Sequence, residues 1–409
     1  MIIYMKIVVI GGGASGIVAA IHAKTKENEV IVLEREQECL KKILKTGNGR
    51  CNYYNDDQKL DYYHSSNQEL LENLITKENL DRVLLFFKEL GILPRKRDGY
   101  YYPNSNQAVS IKNALLLKVK ELGIKILTDC MVTSLEKKED GFILFTSNQK
   151  IIADKVIVAT GSFASFSNTE NINSYQLLEN LGHHIRPVLP SLVQLKGKGS
   201  YLKDWAGIRS QVKLSLYENG NFIKEEEGEI QLTNYGISGI CTFNISREVS
   251  LGLYQHHSME VNIDFLPMIN NIEEFLEERY HLLGNRTCYD FLEGILSTKL
   301  IGVLLKKVAI ASSKRYKELT SVEKERLFTT LKKFTIPIIA TNDFASSQVA
   351  VGGVSLEEVN PKTMASLKVK GLYITGEVLD VDGICGGYNL TFAWISGMLA
   401  GRSVASDSD

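Results

Sequence analysis

Six cysteines in 409 residues, Cys39, Cys51, Cys130, Cys241, Cys288 and Cys385, lie scattered, and no two form a CxxC pair. That spacing excludes a cysteine zinc site, a paired-thiol redox centre and a disulfide framework, and it fits a reducing, cytoplasmic setting. No stretch approaches the ~18 apolar residues of a membrane span. The apolar start Met5 to Ile10 is short, has no basic lead-in and runs straight into glycines, so it reads as a buried strand and not as an export signal. Charge of one sign is missing too. With 47 basic and 48 acidic side chains the formal net charge is -1, whereas a nucleic-acid binder shows a basic excess. A small-molecule partner is expected, with no nucleic acid and no membrane span. Nothing fixes an oligomeric state.

Histidines are few, and four of the seven fall in the adjacent pairs His183-His184 and His256-His257. Neighbours in sequence do not face one ligand on a regular element, so both pairs read as surface or strand-edge residues, and no metal site is expected. No Ser-His-Asp constellation is visible, and no catalytic side chain can be assigned. A second GxGxxG after a strand is also absent, so a nicotinamide donor would have to visit a site without a Rossmann fingerprint.

What is present begins at residue 6. Ile7 to Ile10 is an apolar run typical of a strand covered on both faces, Ile17, Ala20, Ile21 and Lys24 follow at helical spacing, and Val30 to Leu33 is a second strand. Between strand and helix lies Gly11-Gly12-Gly13-Ala14-Ser15-Gly16, which contains GxGxxG at Gly11, Gly13 and Gly16. Glycine is needed there for a tight turn, for backbone approach to a pyrophosphate and for close packing of helix on strand, and the helix start favours negative charge. Alone the pattern is weak. Here Glu34 closes the second strand, at the position of the acid that bonds ribose hydroxyls. A carboxylate there repels a 2′-phosphate, which leaves FAD and NAD.

The rest of the chain favours FAD. Lys155 to Ala159 is a buried strand ending in Thr160-Gly161, and Gly371 to Thr375 is another ending in Gly376-Glu377. An ordinary strand-to-loop turn would explain either alone; both, at opposite ends of the middle region, match the dinucleotide and ribityl contacts of a flavoprotein. Lys41 to Asn52 carries Lys42, Gly47, Arg50, Cys51 and Asn52 in a basic, glycine-punctuated loop just after the ribose-binding acid, placed to wrap pyrophosphate and flavin. Cys51 has no resolving partner nearby, so a thiol mechanism is not expected. Gly386-Gly387-Tyr388-Asn389-Leu390 opens an apolar helix. Its N-terminus suits the N1 edge of an isoalloxazine and would stabilise the reduced anion.

Gln68 to Leu90 and Ala108 to Leu122 read as helices, and Val132 to Leu135 as a strand. From about Ser191 the texture turns to alternating strands, with Asn219-Gly220 as a hairpin signal and Cys241 to Ile245 continuing the series. From Pro267 to Phe334 it is helical and reads as a separate all-α insert.

Taken together, KIVVIGGGASGIVAA (6–20), TGNGRCN (46–52), LTNYGISG (232–239), VGGVSLEEVNPKTM (351–364) and GLYITGEVLDVDGICGGYNLTFAWISGMLAG (371–401) resemble one bacterial family of NAD(P)/FAD-dependent, aminoacetone-oxidase-type flavoproteins. One branch is named for reduction of 3-dehydro bile acids. The resemblance spans nearly the whole chain. It implies an α/β, glutathione-reductase-like Rossmann FAD-binding domain with an inserted β-rich subdomain and an all-α subdomain: 1–190 with 340–409, then 191–265 and 266–339. It places FAD contacts on Gly13, Ala14, Ser15, Glu34, Val132, Gly376, Glu377, Asn389 and Leu390. The candidate set read from the residues adds Gly11, Gly16, Arg35, Lys42, Gly47, Arg50, Asn52, Thr160, Gly161 and Gly387. A common family form of the middle motif is THxGxSGP; here Asn234 stands for the His and Ile240 for the Pro. The expected chemistry is hydride transfer through the isoalloxazine, as reduction of an activated C=C, or its reverse, with NAD(P)H as donor. An amine or aminoketone oxidase using oxygen is the alternative, and a flavin-binding redox sensor with little turnover is a second.

Overall fold

The computed structural model describes residues 5–165 and 174–406. These form two compact units, residues 1–189 with 349–409 and residues 190–348.

The first unit is built on a five-stranded sheet. β1 (Met5–Ile10) pairs in parallel with β2 (Asn28–Leu33) on one side and with Lys155–Val158 on the other; Lys125–Leu127 and Leu372–Ile374 complete the two edges. Ile7, Val8 and Val9 are fully buried, because the sheet is packed on by helix Ala14–Ala23 and by the strands Gly141–Thr146 and Lys150–Ala153 of a small antiparallel sheet. Helix α1 (Ala14–Ala23) lies against the C-terminal helix Tyr388–Ser406. Small residues allow that approach: a Cβ on Gly397 would stand 2.5 Å from Ser15 O, and one on Gly401 2.4 Å from Ala19 O. Small sheets surround this core, among them one of Tyr54–Asn55, Tyr100–Pro103 and Pro94–Arg97.

The reading of one helix over Gln68 to Leu90 is corrected to two, Gln68–Glu72 and Lys77–Glu89. Thr76 separates them, its side chain accepting from the Asn79 amide as an N-cap.

The second unit holds a closed barrel in which Leu195–Gly197, Gly236–Ser238, Asn221–Leu232, Arg209–Glu218, Met259–Asp264 and Phe334–Thr341 follow one another around the wall. Helices Ile272–Leu283, Thr298–Lys307 and Ser321–Lys332 share its hydrophobic core, with Leu276, Leu304 and Leu331 in one cluster with Val212, Val261 and Phe334. Two readings change here. Cys241 to Ile245 is not strand but the start of the helix Ile240–Tyr254. The run is rich in β-favouring side chains, yet Cys241, Ile245 and Val249 bury one face at a spacing of four. The bounds 266–339 read for the helical subdomain also take in the first residues of the barrel's closing strand, Phe334–Thr341.

Candidate functional site

The carboxyl ends of three parallel strands meet at the start of α1, where ligands bind in open α/β sheets. The glycines there do different work. Gly11 takes φ 106°, and a Cβ on it would stand 2.3 Å from Ala159 O; one on Gly16 would stand 2.0 Å from Gly11 O. Backbone therefore closes both positions to any side chain. A Cβ on Gly13 would meet nothing within 4 Å. Gly13 is the N-cap of α1, no side chain caps that helix, and its first turn, through Ala14 and Ser15, carries no acid. Helix N–H groups left this way favour an anion.

Glu34 is buried beside this turn. One carboxylate oxygen accepts from the Gly12 amide at 2.7 Å and the other from the Glu36 amide at 2.8 Å. Burial pushes its carboxyl above the usual range, against the pull of these two amides and of Arg35. Arg35 itself is half-buried and lies 3.6 Å from Glu36. The Cys130 amide donates to Glu34 O, which brings the Val132 strand up to the acid.

From the sheet come Thr160 and Thr375, each at a strand end. Both hydroxyls are buried and have no hydrogen-bond partner among the described residues, and Asn52 Oδ1 is in the same condition. Leaving such a group unmade costs about 1–3 kcal/mol. Gly161 and Gly376 follow the two threonines with φ 68° and 78°. A Cβ on Gly376 would lie 2.2 Å from Ser15 Oγ, so the third strand end touches the first helix start. Glu377 accepts from Lys42 at 2.9 Å and from the Ala350 amide at 3.3 Å.

The basic loop is a 3-10 run, Lys41–Gly49, with left-handed backbone at Gly47, Asn48, Gly49 and Cys51. Gly47 and Arg50 are exposed, whereas Cys51 is wholly buried, and burial pushes its thiol up to about 12. Asn52 leads to the glycine turn: a Cβ on Gly387 would stand 3.2 Å from both Asn52 Oδ1 and the Tyr54 backbone. Asn389 also has a structural task. Its side chain accepts from the Gly383 amide at 2.9 Å and donates to Gly383 O at 2.8 Å, so it ties the turn and keeps one N–H and one lone pair beyond those bonds. Leu390, in the same first helical turn, is half-buried.

One histidine reading is corrected. His183 is buried, with Nδ1 2.8 Å from the Glu358 carboxylate and Nε2 3.0 Å from Ser366 Oγ, because an ion-pairing acid and a hydroxyl satisfy both ring nitrogens in the core. No group of three or more possible metal ligands occurs among the described residues. Asn234 and Ile240 both lie in the second unit, Ile240 exposed at the head of its helix. Missed altogether were Tyr100 and Tyr102, whose rings lie beside Gly386 and Gly47. Their period-two spacing after Asp98-Gly99 was the available signal.

A model of the HI0933-like protein Rossmann domain matches residues 5–403. The chain belongs to that family. It is 40% identical over 404 residues, 98% of this chain and 99% of the relative, to a 3-dehydro-bile acid delta(4,6)-reductase of Clostridium scindens. It is 25% identical to a ribosomal RNA dihydrouridine synthase of Escherichia coli, over 95% of each. Among solved structures, a 3-ketosteroid-delta4-(5alpha)-dehydrogenase from Rhodococcus jostii aligns at TM-score 0.52 and 13% identity over 98% of this chain and 97% of that one, a likeness of fold. The family member is an FAD-dependent oxidoreductase with a Rossmann-type FAD-binding domain. Its residues fit that cofactor: an uncapped helix start for phosphate, a buried carboxylate for ribose, and three buried oxygens short of a partner. No helix among the described residues is long and apolar enough to cross a membrane.

Proposed function

We propose that the protein reduces an activated C=C bond of a steroid-like small molecule, or runs the reverse desaturation, with NAD(P)H as the electron donor. The observation that carries this reading is the 40% identity, over nearly the whole of both chains, to the 3-dehydro-bile acid delta(4,6)-reductase. When bound, FAD supplies hydride transfer. The chain's own residues then divide the work. The amides at Gly13, Ala14 and Ser15 take the pyrophosphate, and Glu34 takes the ribose hydroxyls, with Val132 and Arg35 alongside. Lys42, Glu377, Thr160, Gly161 and Gly376 hold the middle of the cofactor. Gly47, Arg50, Asn52, Gly387 and the helix start at Asn389 and Leu390 face the isoalloxazine end.

The 25% relative acts on ribosomal RNA by name. Dihydrouridine is uridine with one ring C=C saturated, so the chemistry is akin, but a net charge of -1 gives this chain no polyanion-binding excess.

The test is anaerobic reduction of the holoenzyme with NADH and NADPH in turn, followed by a 3-keto-4-ene steroid. Reoxidation of the flavin with a product two mass units heavier supports the reading. Oxygen-dependent turnover of an amine supports the oxidase, and the absence of either reaction supports the sensor; both results overturn the proposal.

A further inference from the structure

The tyrosine hairpin at the glycine turn suggests a residue for the proton that C=C reduction needs. Strand Tyr100–Pro103 pairs Tyr100 with Arg97 and Tyr102 with Arg95 on one side, and Tyr101 with Tyr54 on the other. Tyr101 is buried: its ring stands edge-on to Tyr53 and Tyr54, and its hydroxyl donates to Asp56 at 2.5 Å. It anchors the strand. Side chains alternate, so Tyr100 and Tyr102 share the other face. There the Tyr100 ring packs at Gly386, where a Cβ would come within 3.4 Å of it, and the Tyr102 ring packs at Gly47, where the distance would be 3.5 Å. Asn55 Nδ2 donates to Gly386 O at 3.1 Å, which holds the turn against this small sheet.

The hydroxyls nearby are not equivalent. Tyr62 donates to Asp57 and Tyr63 to Gln58, as Tyr101 does to Asp56. The Tyr100 hydroxyl has no such partner among the described residues, and its ring is only half-buried. Tyr102, on the same face, is likewise half-buried with no such partner, but its ring stands at Gly47; Tyr100 is the one of the two whose ring packs at the glycine turn itself.

We propose that Tyr100 gives the proton to the carbon of the C=C that does not receive the hydride; this rests on the C=C reading above. The balance is simple. Two electrons and a proton reach one carbon as hydride from the reduced flavin, which is thereby oxidised. The Tyr100 O–H bond breaks with its electron pair left on oxygen, its proton forms the second C–H bond, and the phenolate regains a proton from water. Burial, with Tyr102, Cys385, Asp98 and Tyr62 nearby, pushes the phenol above its ordinary value, so it carries its proton throughout the neutral range.

The experiment uses Tyr100→Phe holoenzyme, which loses only the hydroxyl. The probe is 4-androstene-3,17-dione, mixed anaerobically with dithionite-reduced protein while the flavin absorbance is followed. Reoxidation is expected to slow by about 10²-fold or more, the usual contribution of a general acid. Probe affinity, read from the perturbed spectrum of the oxidised holoenzyme, should stay as in the wild type. The wild-type rate should fall as pH rises beyond the ordinary tyrosine range, and the variant should lack that limb. A variant as fast as wild type, or one that keeps the alkaline limb, overturns the role of Tyr100 alone. A wild-type reduced flavin that does not react with the probe overturns the C=C reading and this proposal together. Should the variant not hold FAD, the wild-type limb decides, and its absence overturns the proposal.

Discussion

Gly376 and Ser15, 361 residues apart in sequence, are in direct contact: a Cβ on Gly376 would fall 2.2 Å from Ser15 Oγ and 2.9 Å from Ser15 Cβ. The end of the last sheet strand thus sits on the first turn of α1, the turn proposed to take the pyrophosphate. Gly376 also takes φ 78°, a conformation that costs an L-residue about 1–2 kcal/mol before any clash is counted. Gly376→Ala should therefore lower the melting temperature of the apoprotein and weaken FAD binding together. Ser15→Gly in the same chain should recover the part due to the clash and leave the part due to φ, so a double-mutant cycle should show coupling between the two sites. Additive effects would show that the strand end and the helix start do not constrain one another.

Glu34 has two tasks. Released cofactor should be FAD and not FMN, and Glu34→Ala should weaken its binding by ~1–3 kcal/mol, the value of a charge-assisted hydrogen bond. The sequence suggests no effect on folding. The structure changes that expectation, because the carboxylate also receives the Gly12 and Glu36 amides. Glu34→Ala leaves both without their acceptor, so apoprotein stability should fall as well, by denaturant titration. Unchanged FAD affinity would show that the acid is not on the ribose.

The Rossmann half was legible because its residues act locally. Gly11, Gly13, Gly16 and Glu34 all serve one βαβ unit, and their roles follow from backbone geometry within about 30 residues. What could not be read depends on contacts across the chain. Asn389 looks like a helix-start donor alone until its side chain is seen to tie Gly383 as well. His183 looks like a surface residue until Glu358 and Ser366 close on it. Tyr100 looks like one of 18 tyrosines until the hairpin sets it beside Gly386. In the barrel, Cys241 and Ile245 carry strand-like side chains, and only burial at a spacing of four reveals the helix.

Cys51 should be chemically silent. It is wholly buried, its amide donates to Thr46 O at 3.0 Å, and burial pushes its thiol up to about 12. The thiolate is the reactive form, and almost none is present at pH 8. Cys385 alone among the six cysteines is not buried. Iodoacetamide at pH 8 should label Cys385 and spare Cys51 in the folded protein, by peptide mass mapping. Cys51→Ser should keep FAD and most of the flavin reduction rate. Loss of turnover with FAD still bound would point to a thiol mechanism instead.

The glycine turn before the C-terminal helix should tune the flavin, and the structure alters the reason. The sequence suggests that a side chain on Gly387 would stand between backbone and ring. Its Cβ would instead point at Asn52 Oδ1 and the Tyr54 backbone, 3.2 Å away, on a residue at φ 96°. A side chain would thus push the turn off the Tyr54–Asn55 strand and shift the helix start as a whole. The Thr391 amide and hydroxyl both reach Gly387 O, at 2.9 and 3.1 Å, so the first helical turn must move with it. Reduced flavin is negative near N1, and helix N–H groups stabilise that charge only at close range. Gly387→Val should therefore lower the midpoint potential and slow flavin reduction more than it weakens binding at the adenine end. A fall of ~30 mV in the two-electron couple corresponds to about 1.4 kcal/mol. Asn389→Ala should act in the same direction by releasing Gly383 and with it the turn. Spectroelectrochemical titration of the folded, FAD-loaded variants decides the matter: unchanged potentials in both would place the helix start away from the isoalloxazine and make this turn a cap alone.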